Sequence, residues 1–392
     1  MGDNITLTNG TVKTQVAGLD ASKLKITLSE TLKDIPPKET LSFGSTMTDH
    51  MLIASFDPVN GWSAPEIKPY GPISVDPAGS CFQYSTNLFE GMKAYVDSQG
   101  KPRLFRPDLN MARMARSASR VALPSFNADE FLKLIKKLVA IESRWIPAGK
   151  GYSLYVRPTM IGTKAALSVG ASDHAMLYVI CSPTGPYYGD AHKAISLLAI
   201  DEHVRSWPGG TGAHKLAINY TPTLLPQEMA AKQGYNQCLW LLGDEKKVTE
   251  IGAMNFFVVI KREDGDWDVL TPPLDGTILP GVTRDSTLKL LEAHSSNGVL
   301  PGLESQKLYP LELQLTMADI KKFAEEGRLL EAFGVGTAGI VTAVGRIGFE
   351  GKDINLPAHD IGLGPVAHAL YERIVDIQMG RFEWQGWSVT CE

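Results

Sequence analysis

Strand-like runs follow one another in this chain without helical patterns between them. GYSLYVRPTMIG (151–162) leads to AMLYVICSP (175–183), QCLWLLG (237–243) to NFFVVIK (255–261), and LLEAFG (329–334) almost directly to GIVTAVGRIGF (339–349). These runs are rich in β-branched and aromatic residues, which suit a pleated, half-buried surface. A doubly wound parallel sheet would need regular alternation of strand and helix, so this order favours an α+β architecture.

Helical patterns stand apart from these runs. One covers 107–122. A second starts at Asn127, with Asp129 and Glu130 in its opening turn and Phe131, Leu134, Ile135, Leu138 and Val139 on its apolar face. Others are expected around 222–233, just after LPGVTRDS (279–286), at Thr316 with Asp319 as capping-box partner, and at the end, with Val366, Leu370, Ile374 and Ile377 on one face. KAISLLAI (193–200) reads as a strand. FQYSTNLFEGMKAYVDSQGKPRLFRPD (82–108) reads as strand, turn, strand, tipped by Ser98-Gln99-Gly100. GWSAPEIKPYGPISVDP (61–77) reads as turns. No internal repeat is found.

A chain of 392 residues exceeds one ordinary core, so two domains are expected. Residues 1–42 are polar, broken by Pro36-Pro37, and read as an extended, partly disordered arm. A smaller domain would span 43–184, GPYYGD (185–190) would be the linker, and a larger domain would span 191–392. The net charge of −5, with no basic stripe, argues against a nucleic-acid partner. Cys81, Cys181, Cys238 and Cys391 form no C-x-x-C, which argues against a disulfide framework or a zinc site and fits a reducing compartment. No run reaches the length of a membrane span. Asp3, Asp20 and the lack of arginine before Arg103 are unlike a transit peptide, so the cytoplasm is expected. Gly2 and Thr6 fit the short myristoylation pattern, and Asn4 and Asn9 lie in glycosylation sequons.

WPGGTGAHKLAINY (207–220) carries the strongest chemical hint. Glycines 209, 210 and 212 let the backbone approach a ligand, and Ala217 and Ile218 give Lys215 the apolar setting a Schiff-base lysine requires. A single lysine is nonetheless usually a solvated one. GVGTAG (334–339) matches G-x-G-x-x-G, but a strand follows where a dinucleotide site needs a helix. It reads as a tight strand-to-strand turn or as an anion cradle. LPGVTRDS reads equally as a helix-start phosphate site or an ordinary helix start. Glu250 leads an apolar strand, where it is either partly buried and in need of a cation or solvent-facing. Arg106, Arg113, Arg116 and Arg120 crowd one helix with few acids to offset them, which leaves room for phosphate beside the plainer reading of a solvated face. Tyr155 and Arg157 share a strand face and together could grip a carboxylate. No G-x-S-x-G, H-E-x-x-H or clustered histidine pair is present.

Taken together, FGSTMTDHM, QYSTNLFEGMKAY, LFRPDLNMARM, GKGYSLYVRPTMIGT, WPGGTGAHKLAINY, TEIGAMNFF, LDGTILPGVTRDS and EAFGVGTAGIV resemble the branched-chain amino acid aminotransferases of pyridoxal-phosphate fold type IV. The fungal members are the nearer match. The resemblance runs in order from about residue 43 to 345 and implies a two-domain fold with the cofactor in the larger, C-terminal domain. It implies that Lys215 forms the Schiff base with pyridoxal 5'-phosphate, Glu250 faces the pyridine nitrogen and Tyr220 bonds the ring's 3′ oxygen. Arg113, the amides of Val282 and Thr283, and Thr337 would hold the phosphate. Phe43, Tyr84, Phe89, Tyr155 and Tyr187 would form the apolar wall for a branched side chain. Arg157, supported by Tyr84, would take glutamate's second carboxylate, with Ala253, Thr337 and Ala338 also at the substrate.

Substrates would be leucine, isoleucine or valine with 2-oxoglutarate. An obligate homodimer is implied, in which Leu167–Val169 completes the partner's site. Ala253 replaces a usual threonine, which implies a slightly larger pocket and some shift toward bulkier side chains. The animal redox C-x-x-C falls at Gly339 and Thr342, so thiol control is not expected there. Rival readings are a lyase or D-amino acid aminotransferase of the same fold, or a cofactor-free binding protein.

Overall fold

The computed structural model describes residues 16–187 and 193–392. Gly2, Thr6, Asn4, Asn9 and residues 188–190 of the expected linker lie outside the described residues. Two mixed sheets dominate. The first runs in the order Lys25–Ile26, Glu66–Pro69, His50–Asp57, Ala175–Thr184, Ser153–Gly162, Met92–Val96, Pro102–Phe105, Ser388–Thr390, with Gly61–Trp62 and Asn87–Phe89 paired off this path. The second runs Lys247–Ile251, Gln237–Leu242, Ile195–Ile200, Ile340–Phe349, Leu329–Gly336, Met254–Lys261, Trp267–Thr271, Leu308–Glu312, with Lys352–Asn355 alongside. Most neighbours are antiparallel, as an α+β chain with hairpins requires.

Two helices, Pro107–Arg120 and Ala128–Ile141, cover the first sheet. Asn127 caps the second through its side-chain oxygen, and all five residues of its expected apolar stripe are buried. Burying each such side chain contributes roughly 1.5–3 kcal/mol. Val282–Asn297 and Pro365–Gln378 pack on the second sheet through Leu290, Leu291, Val366, Leu370 and Ile374, against Phe257, Phe333 and Val341. Met317–Glu325 packs on the sheet's other core through Met317 and Ile320, with its capping box formed by Thr316 and Asp319. Cys181, Cys238 and Cys391 are buried, and Cys81 is half-buried.

The sheets share more chain than a boundary at 191 allows. Ser388–Thr390 returns to the first sheet beside Pro102–Phe105. Leu216, next to Lys215, is buried in the first sheet's core. The expectation of an extended arm through residue 42 gives way from residue 16 onward. Lys25–Ile26 pairs with Glu66–Pro69, Leu19 is buried, and the N–H groups of Ala21, Ser29 and Lys33 donate to Glu130, His50 and Asp49. Covering that sheet edge satisfies backbone groups which would otherwise stand open. Three local readings also change. Ser80–Tyr84 is a short helix rather than strand, closed by Ser85 in the left-handed conformation (φ 51°). The stretch 61–77 contributes two short strands. The helix expected just after LPGVTRDS begins inside it, at Val282.

Candidate active site

A cleft between the two sheets gathers most of the singled-out side chains. Lys215 is half-buried at the end of its glycine-rich turn. Its N–H donates to Ser117 Oγ on the helix Pro107–Arg120, and its carbonyl accepts from the Phe89 N–H. The chain is therefore pinned to the first sheet from both sides of the lysine. Its Nζ donates to the Tyr220 hydroxyl at 3.1 Å and stands 4.9 Å from the Phe89 ring centre. The apolar setting comes from Phe89, whose ring lies 4.9 Å from that of Tyr220. Ile218, expected to help, is 47% exposed.

Contacts extend unbroken from this lysine. The Arg157 guanidinium lies over Phe89 at 4.7 Å and donates to the Tyr155 hydroxyl at 3.1 Å. Phe43 packs edge-on against Tyr155 (4.7 Å) and Tyr187 (5.1 Å). Arg157 pairs with no carboxylate among the described residues, and its buried Nε has no acceptor. The residue is half-buried, and a guanidinium with an unpartnered buried N–H can accept an anion. Gly91 admits the tyrosine, since a Cβ there would collide with the Tyr155 hydroxyl.

Glu250 and Arg113 anchor opposite sides of one segment. Glu250 is 2% exposed; its Oε2 accepts from the Leu279 N–H at 3.4 Å and pairs with Arg205 at 2.7 Å, while Oε1 accepts from Asn255 at 3.2 Å. Burial pushes the Glu250 carboxyl up, against Arg205 and, more weakly, Lys215. One residue on, the Pro280 carbonyl accepts from Arg113 Nη1 at 3.1 Å. Arg113 Nε and Nη2 each donate to Glu90 at 2.7 Å, and Asn110, one turn earlier on the same helix, donates to Glu90 at 2.8 Å. Burial pushes the Glu90 carboxyl up, but Arg113, with help from Lys215, outweighs it and holds the group below its usual range.

Arg113 keeps one N–H on each Nη unassigned by these bonds. No side chain caps the helix that opens at Val282 and Thr283, so its first N–H groups lack intrahelical partners. These donors fit a phosphate monoester.

Thr337 to Gly339 form the turn of the hairpin joining Leu329–Gly336 to Ile340–Phe349. GVGTAG is thus a strand-to-strand turn, and a Cβ at Gly336 would press on the Met254 side chain at 3.2 Å. Ala253 is exposed, its carbonyl 3.9 Å from where that same Cβ would lie. Ile340 closes the turn at φ 60°, a left-handed conformation that costs a β-branched residue on the order of 1–3 kcal/mol. Tyr84 stands apart. The chain does not bring it to Arg157 as expected; its hydroxyl donates to the Leu167 carbonyl, on the loop thought to serve a partner. The three residues missed by sequence reasoning are Glu90, Arg205 and Asn110. The one available signal was the demand of a buried Glu250 for a cation.

The fold is that of the class IV amino-transferases, whose family pattern matches residues 87–325. Mitochondrial branched-chain-amino-acid aminotransferase of Saccharomyces cerevisiae is 47% identical over 95% of this chain and 94% of its own. The cytosolic enzyme of the same yeast is 46% identical over 95% and 98%. The chain belongs to the branched-chain-amino-acid aminotransferase family. Its fold matches the branched-chain aminotransferase of Thermoproteus uzoniensis with a TM-score of 0.67 at 22% identity, over 88% of this chain and all of that one.

Proposed function

We propose that the chain reversibly transfers the amino group of L-leucine, L-isoleucine or L-valine to 2-oxoglutarate, giving the branched-chain 2-oxo acid and L-glutamate. The cofactor is pyridoxal 5'-phosphate, joined to Lys215. What carries this reading is one lysine whose charge reaches both buried carboxylates, Glu250 and the Glu90 that holds Arg113, while Arg113 and Glu250 are both tied to Leu279-Pro280 just ahead of an uncapped helix start.

The bound cofactor supplies an aldehyde and an electron-withdrawing ring. Arg113, the Val282 and Thr283 amides and Thr337 hold its phosphate, with Glu90 and Asn110 fixing the guanidinium plane. Glu250 keeps a proton on the ring nitrogen, and Arg205 favours the charged carboxylate this needs. Tyr220 donates to the ring's 3′ oxygen. With the cofactor bound, the Lys215 amine would be the base that takes up and returns the proton at the substrate Cα. Phe43, Phe89, Tyr155 and Tyr187 receive the aliphatic side chain, with Ala253 and the Thr337–Ala338 turn beside the substrate carboxylate. Arg157 takes the second carboxylate of glutamate, an assignment supported by its orphaned Nε. When an aliphatic chain is present instead, the Tyr155 hydroxyl and the Phe89 face keep that guanidinium from standing bare.

The working unit is a homodimer, supported by exposed Phe82, Tyr84, Leu167 and Val169 around the Tyr84–Leu167 bond, with Tyr84 and the loop completing the partner's site. No helix among the described residues is long and apolar enough to cross a membrane. The cytosol is the proposed compartment; cytosolic and mitochondrial relatives match equally well, and cell fractionation decides between them.

Lys215→Ala is expected to abolish the visible absorbance of the lysine-bound cofactor and to cut leucine/2-oxoglutarate turnover by about three orders of magnitude or more. Unchanged turnover in that variant sinks the reading, as does wild-type protein that prefers D-alanine to leucine.

A further inference from the structure

Lys93 is used by none of the chemistry above, yet it is the one lysine buried among the described residues, at 6% exposure on the strand Met92–Val96. No carboxylate among the described residues pairs with it. Its Nζ donates a 2.5 Å hydrogen bond to the Ala338 carbonyl, and burial pushes the ammonium down to about 7. A desolvated cation with no counter-charge is unfavourable in its own right, so its one strong bond must return something.

That bond reaches the apex of the Thr337–Gly339 turn, directly before the strained Ile340. A residue in that conformation stays there only when its surroundings over-determine it. Met254 closes on the turn from the Gly336 side, and Lys93 holds the carbonyl. Lys93 also borders two small cavities. One is shared with Val282, Thr283 and Thr337, the other with Tyr187, Ala338 and Thr342. It therefore stands behind the turn at the meeting of the groups assigned to phosphate and to substrate.

We propose that Lys93 is a positioning residue, which pins the Ala338 carbonyl and so aims the Thr337 hydroxyl and the turn's N–H groups at the cofactor phosphate and the substrate carboxylate. This rests on the aminotransferase reading. It treats the Thr337–Ala338 turn as a binding element whose shape is imposed from the first sheet, across the cleft, rather than by its own hairpin. Leucine and 2-oxoglutarate would each present a carboxylate to the same turn, so both substrates should feel its loss.

The test is Lys93→Met, which keeps the length of the side chain and removes its charge and donor. Losing one charge-assisted hydrogen bond should raise KM about tenfold for both leucine and 2-oxoglutarate, with kcat within about threefold. Pyridoxamine phosphate, added to cofactor-stripped protein and followed by its fluorescence, should bind about tenfold more weakly. A lysine that only supported the fold would lower Tm and the active fraction but leave KM and cofactor affinity unchanged, and that result overturns the proposal. If Lys93→Met does not fold, the same measurements are made on Lys93→Gln, whose amide refills the space but falls short of the carbonyl. Wild-type protein that does not transaminate leucine refutes the aminotransferase reading instead, and the binding assay still scores Lys93.

Discussion

The two buried acids of the cleft do opposite things with their cations. Glu90 forms a bidentate pair with Arg113, so that guanidinium reaches the proposed phosphate site already neutralised and aligned. Its value is direction more than net charge, and the uncapped helix start supplies further attraction. Glu250 has a single-point contact with Arg205, and burial wins over that cation. Removing Arg205 leaves burial less opposed, so the carboxyl should move further up and be ionised over a narrower range. Arg205→Met is therefore expected to shift the acid limb of kcat/KM for leucine to higher pH, and to lower Tm because a broken buried pair costs about 3–5 kcal/mol. A pH–rate profile with unmoved limbs would remove Arg205 from this role. Lys215, Glu250 and Arg113 each stood out in the sequence beside a plainer reading, and only the family resemblance gave them roles. Their partners did not stand out, since Glu90 reads as one more polar residue in a strand and Arg205 precedes the glycine-rich stretch with no periodicity to mark it. Burial creates those pairs, and burial is a property of the assembled sheets.

Elements with strong periodicity were readable. The stripe Phe131, Leu134, Ile135, Leu138, Val139 and the Asn127 cap specify their helix locally. Val282–Asn297 was harder to bound, because Thr283, Arg284, Ser286 and Thr287 are polar yet buried, so its first turn carries no apolar stripe. The helix Pro365–Gln378 shows what sequence cannot give. Its own N-cap is a glycine with no side chain, and the capping is done across the fold by Glu331, which accepts from the N–H groups of Val366 (2.8 Å) and Ala367 (3.0 Å). Burial pushes Glu331 up to about 7 against those two bonds. An acid whose folded value exceeds its unfolded value near 4.5 retains a proton in the fold that the unfolded chain has lost. Its contribution is fully present below 4.5 and drains away as pH rises toward 7, by as much as about 1.4 kcal/mol per pH unit. Glu331→Gln, which cannot ionise, should melt below wild type at pH 4.5, having lost one acceptor. It should close that gap, or reverse it, by pH 7.5. Thermal melts across this range that run parallel would rule out the titration.

At the scale of the molecule, strand content and the α+β class were legible, whereas the division of chain between the sheets was not. Residues 16–42 read as part of a polar arm and 388–390 fell within the expected larger domain, yet both complete the first sheet. Backbone pairing at a sheet edge leaves little trace in side-chain identity. One exposed feature is apolar as well: Leu167 is 70% exposed, Val169 85% and Phe82 63%, with Tyr84 tying its hydroxyl to the loop. Scattered exposed leucines need no explanation, but a set gathered around one hydrogen bond marks a surface that something covers. Two copies of the chain could cover it with the same patch, as a closed symmetric pair does. On a free surface Val169→Asp would change stability by no more than about 0.5 kcal/mol. At a subunit interface it buries an unpaired carboxylate, which costs several kcal/mol and should split the assembly. Val169→Asp is accordingly expected to run as a monomer in light scattering, with turnover falling at least tenfold although Lys215, Glu250 and Arg113 are untouched within each chain. If the variant stays dimeric with wild-type kinetics, the subunits meet elsewhere, and Tyr84 then has no second site to complete.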